Sequence, residues 1–205
     1  VLIHPWDATT GPDECLPFLR DQGFGHLIAA GRGREVPVVV PTQYIVGSES
    51  PLEILLHLAR PNPIWAALEE NPIVLLSVAG DWAYIPTAWK AIGSEDPALG
   101  VPTTYYAAVQ VVASATVVDD DTDKLDILRR QLAALEPSIA HADPSVHLRR
   151  LPGIRGLRLT AREVFGKFKY GGNVDEEHRL AVAERLEARG GPGDAAAREH
   201  LRRRT

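Results

Sequence analysis

From residue 26 to residue 118 the chain alternates short β-rich runs with Pro and Gly turn signals, which confines it to an antiparallel, strand-dominated architecture. His26 to Ala30, the turn Gly31-Arg32-Gly33, and Glu35 to Val46 read as a hairpin. Pro37 and Pro41 in its second arm demand an edge or bulged strand, because proline cannot donate to a ladder. Ser50-Pro51-Leu52-Glu53 has capping-box spacing with Pro at the first helical position, so a short helix is predicted over 51–59, stopped by Pro61. Asn62-Pro63 opens a second helix that runs to Glu70. Ile73 to Ala79, a turn at Gly80-Asp81 and a return strand over 82–85 predict a second hairpin.

Residues 86–104 read as a long loop rich in Pro and Thr, a length that usually carries function. Tyr105 to Val118 is predicted as a long strand. The acidic run 119–123 then favours the start of a helix whose Leu125, Leu128, Leu132 and Leu135 share one face. Residues 136–153 read as loop and 157–164 as a last strand. One or two helices follow over 175–204, broken at Gly190-Gly191-Pro192-Gly193. The expected fold class is α+β, with a barrel domain over 1–174 and a helical extension of it over 175–205.

Composition excludes several classes. No apolar run approaches the roughly 20 residues of a membrane span, and the first residues lack a basic segment followed by an apolar one, so a cytoplasmic protein is expected. Cys15 is alone, which excludes an intramolecular disulfide and a cysteine-based zinc site. The net charge of −5 hides an asymmetry: residues 149–205 carry 14 of the 22 Lys and Arg against 8 Asp and Glu. Arg and Glu interleave there at helical spacing, which reads as a solvated helix face and not as a nucleic-acid surface. Gly-rich phosphate loops, H-E-x-x-H and G-x-S-x-G are all absent.

Four segments carry the chemistry that remains. In HLARPNP (57–63), His57 and Arg60 would share a helical face, where an imidazole could ligate a metal and a guanidinium could bind an acidic group, or His57 could cap its helix with Arg60 in solvent. In WAYIPTAWK (82–90), alternation puts Trp82, Tyr84 and Pro86 on one face and lets Thr87 and Lys90 point at a ligand; core packing explains the aromatics equally well. VPTTYY (101–106) supplies two hydroxyls and two phenols. GKFKYGGN (166–173) puts two Lys on one strand face, able to bind phosphates or propionates or to form a solvent-facing basic edge.

The order, wording and spacing of HLARPNPIW, WAYIPTAW, VPTTYYAAV and GKFKYGGN resemble the PaiB family, also described as FMN-binding negative transcriptional regulators. The resemblance covers nearly the whole chain. It implies an antiparallel split β-barrel of the FMN-binding type, usually a homodimer with cofactor sites at the subunit interface. Members typically show H-L-A-R-x-N-P, A-Y-I-S-P-S-W-Y, V-P-T-W-N-Y-A-A-V and G-K-F-K-L-S-Q-N. This chain departs at 85–90, at Thr104-Tyr105-Tyr106 where members have Trp-Asn-Tyr, and at Tyr170-Gly171-Gly172 where they have Leu-Ser-Gln. His57, Arg60, Asn62, Pro102, Lys167, Lys169 and Asn173 match.

Departures gathered at cofactor and substrate positions imply a changed ligand. The branch of the family that fits is the haem-dependent piperazate synthases, which resemble PaiB proteins throughout but bind haem b. That resemblance implies an amino-acid substrate, δ-N-hydroxy-L-ornithine, closed to L-piperazic acid. His57 would be the metal ligand. Arg60, Asn62, Thr87, Trp89, Lys167 and Lys169 would hold the cofactor, and Tyr84, Lys90 and Tyr105 are the candidates for moving protons. The alternative the family implies is FMN, in a regulator or a flavin-dependent oxidoreductase, with Arg60 and Lys167 at its phosphate and Trp89 or Tyr84 near its ring.

Overall fold

The structure, a computed structural model, describes residues 1–9, 12–91, 95–138 and 143–203, the side chains of 12 and 13 excepted. Parts of the expected loops, 92–94 and 139–142, and the predicted helix end at 204 lie outside these residues. The elements in order are α1 (Pro12–Gln22), β1 (Phe24–Ala29), β2 (Val38–Gln43), β3 (Ile45–Glu49), β4 (Leu52–Ala59), α2 (Ile64–Glu70), β5 (Ile73–Ile85), α3 (Thr87–Lys90), β6 (Thr103–Val118), α4 (Asp121–Leu135), β7 (Ile154–Lys169), α5 (Glu176–Arg189) and α6 (Asp194–Arg203). The strands form one seven-stranded antiparallel sheet in the order β2-β1-β5-β6-β7-β4-β3. The fold class is therefore α+β, as expected.

Two compact units share the chain. Residues 1–14, 79–109 and 166–205 form the first, and 15–78 and 110–165 the second. Strands β5, β6 and β7 supply residues to both.

In the second unit β1 and β2 form the expected hairpin, with Pro41 opposite His26 and β2 at the sheet edge. The second arm is shorter than predicted. It ends at Gln43, and Ile45–Glu49 is a separate strand paired with β4. The predicted helix over 51–59 is strand β4, paired on one side with β3 and on the other with β7. Ile54, Leu55 and Leu56 are each 0% exposed, so both faces of β4 are covered. A strand buried on both faces reads as a continuous apolar run, which the capping-box spacing overrode in the sequence reading. Helix α2 forms as predicted, with Asn62 Oδ1 accepting from the Ile64 N–H at 3.1 Å. Helix α1 was not predicted, because Pro17 lies inside it.

The predicted hairpin over 73–85 is one continuous strand, β5. Gly80 is not among the glycines with positive φ, so Gly80-Asp81 does not turn the chain. Helix α4 begins where the acidic run predicted, with the Asp120 carboxylate accepting from the Thr122 and Asp123 N–H groups. Its buried face is Lys124, Ile127 and Gln131. Leu128, Leu132 and Leu135 instead line cavities.

In the first unit α5 and α6 are the predicted C-terminal helices, parted by Gly190 and Gly193, both at positive φ. A Cβ on Gly193 would lie 2.1 Å from the Trp82 carbonyl oxygen, so only glycine brings the turn this close to β5. Asp194 secures it, accepting two hydrogen bonds from Arg189 and one from the Gly191 N–H. The core of this unit includes Ile85, Tyr105, Phe168, Tyr170, Val182, Leu186 and Leu201.

Candidate functional site

His57 sits on β4 two residues beyond Leu55, on the face that α4 covers. Its partner across the β4–β7 ladder is Gly156. A Cβ there would approach Ile127 Cδ1 to 2.8 Å, so the missing side chain lets α4 lie close. That approach brings the buried Gln131 to the ring: its Oε1 lies 2.6 Å from His57 Nδ1. An amide oxygen only accepts, so Nδ1 is the donor in this contact. The half-buried His57 lines a cavity of ≈ 560 Å³ walled by Leu128, Leu132, Pro144, Val146, Leu151 and Ile154, with Glu136, Asp143, His147 and Arg150 supplying polar groups. Asp143 is committed elsewhere: the Ser145 hydroxyl and N–H and the Arg129 guanidinium hold its carboxyl below the usual carboxylate range. Glu136, His147 and Arg150 are the ionisable groups that remain in it beside His57.

Arg60 and Asn62 do not line that cavity. Arg60 follows β4 in a turn, so the helical face it was expected to share with His57 does not exist. It donates to the Pro152 carbonyl at 2.6 Å and pairs with Asp119 at 3.0 Å, and Arg155 pairs with the same carboxylate at 2.6 Å. Both guanidiniums, Arg155 foremost, hold Asp119 below the usual carboxylate range. The HLARPNP segment thus presents His57 and spends Arg60 and Asn62 on tying the chain around it.

The first unit gathers a second set. Lys90 at the end of α3, Tyr105 on β6 and Lys169 on β7 line one pocket of ≈ 280 Å³, together with Asp7, Thr103, Gly171 and Asn173 among others. Lys169 donates to Thr103 Oγ1 at 2.7 Å. Burial first, and the Lys169 charge second, lower the proton affinity of Lys90. Tyr105 is buried, its hydroxyl has no hydrogen-bond partner among the described residues, and burial pushes its pKa up to about 12. The remaining expected residues of this unit stand apart from the pocket's lining. Lys167 donates to the Leu2 carbonyl at 2.7 Å and lies over the Tyr106 ring; Trp89 lies under the Arg189 guanidinium at 4.8 Å. Tyr84 is 48% exposed. Thr87 opens α3, its carbonyl packed against Gly100.

Residues 4–163 match the family model described as "Putative FMN-binding domain". The chain belongs to that family. No curated protein matches the sequence. Solved structures with the same fold include the flavocytochrome Anf3 from Azotobacter vinelandii, 19% identical with a TM-score of 0.62 over 88% of this chain and 78% of that one. The FAD and heme binding protein from Mycobacterium smegmatis is 17% identical with a TM-score of 0.60 over 91% and 82%. HutZ from Vibrio cholerae, a heme storage protein, is 15% identical with a TM-score of 0.51 over 76% and 93%. The fold is the antiparallel split β-barrel of the FMN-binding family, as the four motifs implied.

Beside those motifs, this member of the FMN-binding family carries site residues that the sequence reading missed. Gln131 was hidden on an otherwise leucine-marked helix, and a buried polar residue at helical spacing from Ile127 was its signal. Asp7 lies far from every motif and reaches the second pocket through a short 3₁₀ turn at Pro5–Asp7 and a bridge from Ala8 to Lys167. Nothing local in the sequence marks it. Among the described residues no three His, Cys, Asp or Glu side chains converge on a metal-ion site.

Proposed function

We propose that this FMN-binding-family chain is a haem-dependent enzyme that closes δ-N-hydroxy-L-ornithine to L-piperazic acid. The observation that carries the reading is His57: an imidazole at an apolar cavity, its Nδ1 held by the Gln131 amide oxygen and its Nε2 without a hydrogen bond among the described residues. A metal-ligating histidine has this pattern, the acceptor on its other nitrogen fixing the ring and raising its basicity. One protein ligand suffices for an iron whose macrocycle brings four others. The cavity suits a large apolar ring, with Arg150 placed to pair with a propionate or a substrate carboxylate.

The reaction is a dehydration. The α-amine forms a bond to the δ-nitrogen, the N–O bond breaks, and the hydroxyl leaves with the amine's proton as water, so no external oxidant or reductant enters. Haem iron bound at His57 would supply a Lewis acid toward the hydroxylamine oxygen. The chain's own share is to fix the His57 ring, to keep bulk water from the leaving hydroxyl with Leu128, Leu132 and Leu151, and to move the proton. His147, which lines the cavity, is the candidate for that transfer.

Family membership favours a second reading, FMN, whose phosphate would seek a cationic site. The absorption spectrum of protein purified with haemin and FMN both supplied separates them. A Soret band that His57→Ala abolishes supports haem. A flavin spectrum overturns it in favour of the flavin protein, and colourless protein that takes up neither cofactor overturns both.

A further inference from the structure

We infer that the pocket of the first unit formed by Asp7, Lys90, Thr103, Tyr105, Lys169 and Asn173 is a binding site for the head group of an α-amino acid, its carboxylate between the two ammoniums and the phenol and its α-ammonium on Asp7. The inference stands on this pocket's own residues and not on haem at His57, so the two readings fail separately.

Lys90 and Lys169 line the same small space, and no ion pair among the described residues neutralises either. Two like charges drawn together cost free energy that an anion between them recovers. Tyr105 adds a donor: the side chain is 1% exposed, yet its hydroxyl makes no hydrogen bond. Leaving a buried hydroxyl unmade costs about 1–3 kcal/mol, and a carboxylate oxygen in the pocket would satisfy it. With burial holding the phenol protonated, it donates and does not accept a proton. Gly171, at φ +69°, makes room, because a Cβ there would lie 2.7 Å from the Tyr105 hydroxyl.

Asp7 decides between a simple anion and a zwitterion. Its side chain is 3% exposed, lines the same pocket and enters no ion pair among the described residues. Phosphate or a plain carboxylate would meet that buried acid as a repelling charge. A ligand with an ammonium beside its carboxylate meets complementary charge at both ends. At ≈ 280 Å³ the pocket has room for the head group of an amino acid.

Calorimetric titration of the purified full chain with L-ornithine, 5-aminopentanoate (no α-amine) and 1,4-diaminobutane (no carboxylate) tests the inference. Ornithine is expected to bind, and each truncated analogue to bind about tenfold more weakly or worse, one charged hydrogen-bonded contact being lost. Lys169→Met should weaken ornithine by a similar factor, and Asp7→Asn should remove its advantage over 5-aminopentanoate. Absence of ornithine binding overturns the inference. So does 5-aminopentanoate binding as tightly as ornithine, or ornithine binding untouched by both substitutions. The ligand series on the unaltered protein keeps the test valid if either variant fails to fold.

Discussion

At the scale of single residues, Tyr105 and Gln131 are buried polar side chains to which the proposals above give ligand-directed roles. The Tyr105 hydroxyl is paid for in the unliganded protein without a partner, so Tyr105→Phe should leave the melting temperature unchanged or raise it, by up to about 1–3 kcal/mol of stability, while weakening ornithine. Thermal melts with and without ligand check both halves; a strongly destabilised variant would show that the hydroxyl has a partner after all. Gln131 should behave differently. Gln131→Leu keeps the volume and removes the acceptor, so haem affinity should fall about 10–100-fold while the fold survives, as haemin titration followed at the Soret band would record.

Elements explain which parts of the chain were legible. The β1–β2 hairpin, α2, α4 and the two C-terminal helices announced themselves through prolines, caps and helical charge spacing, all of them local signals. β4 and β5 did not. Three consecutive buried residues in β4 erase the period-two alternation, and Gly80-Asp81 has turn composition but extended backbone, so only pairing with neighbouring strands decides either case. The candidate site divides the same way: His57, Lys90, Tyr105 and Lys169 lay in recognisable motifs, whereas Gln131 and Asp7 acquire their roles from elements distant in sequence. The α5–α6 turn supplies a pH prediction. Arg189 holds the buried Asp194 carboxyl below its ordinary range, so the stabilisation is complete above the unfolded carboxylate pKa and is lost as pH falls through the lowered folded value. Asp194→Asn should therefore lower stability at pH 7 and flatten the acid limb of a stability-versus-pH profile; an unchanged acid limb would assign that limb to other carboxylates.

For the whole molecule, the C-terminal helices were expected as an extension of the barrel domain, and we propose that they complete the first unit's core. Phe168 at the end of β7 and Tyr170 just past it are fully buried aromatics, and His200 of α6 stacks on Tyr170 at 4.4 Å. Deleting 175–205 should expose these rings, increase binding of a hydrophobic dye and abolish ornithine binding. A truncated chain with native near-ultraviolet dichroism would contradict that.

Gly171 and Tyr105 constrain each other through their contact. Where PaiB-type sequences read Asn and Ser at these two places, this chain has Tyr105 and Gly171, and the phenol occupies the space that a Cβ at 171 would fill. The two departures are therefore sterically coupled. A glycine at 171 tolerates either neighbour, whereas a serine there would meet the phenol. Gly171→Ser alone should thus be more damaging than Gly171→Ser combined with Tyr105→Asn, as thermal melts of the two variants would record: one cavity wall is shared between a strand and the turn after another, and the turn's half cannot be changed alone.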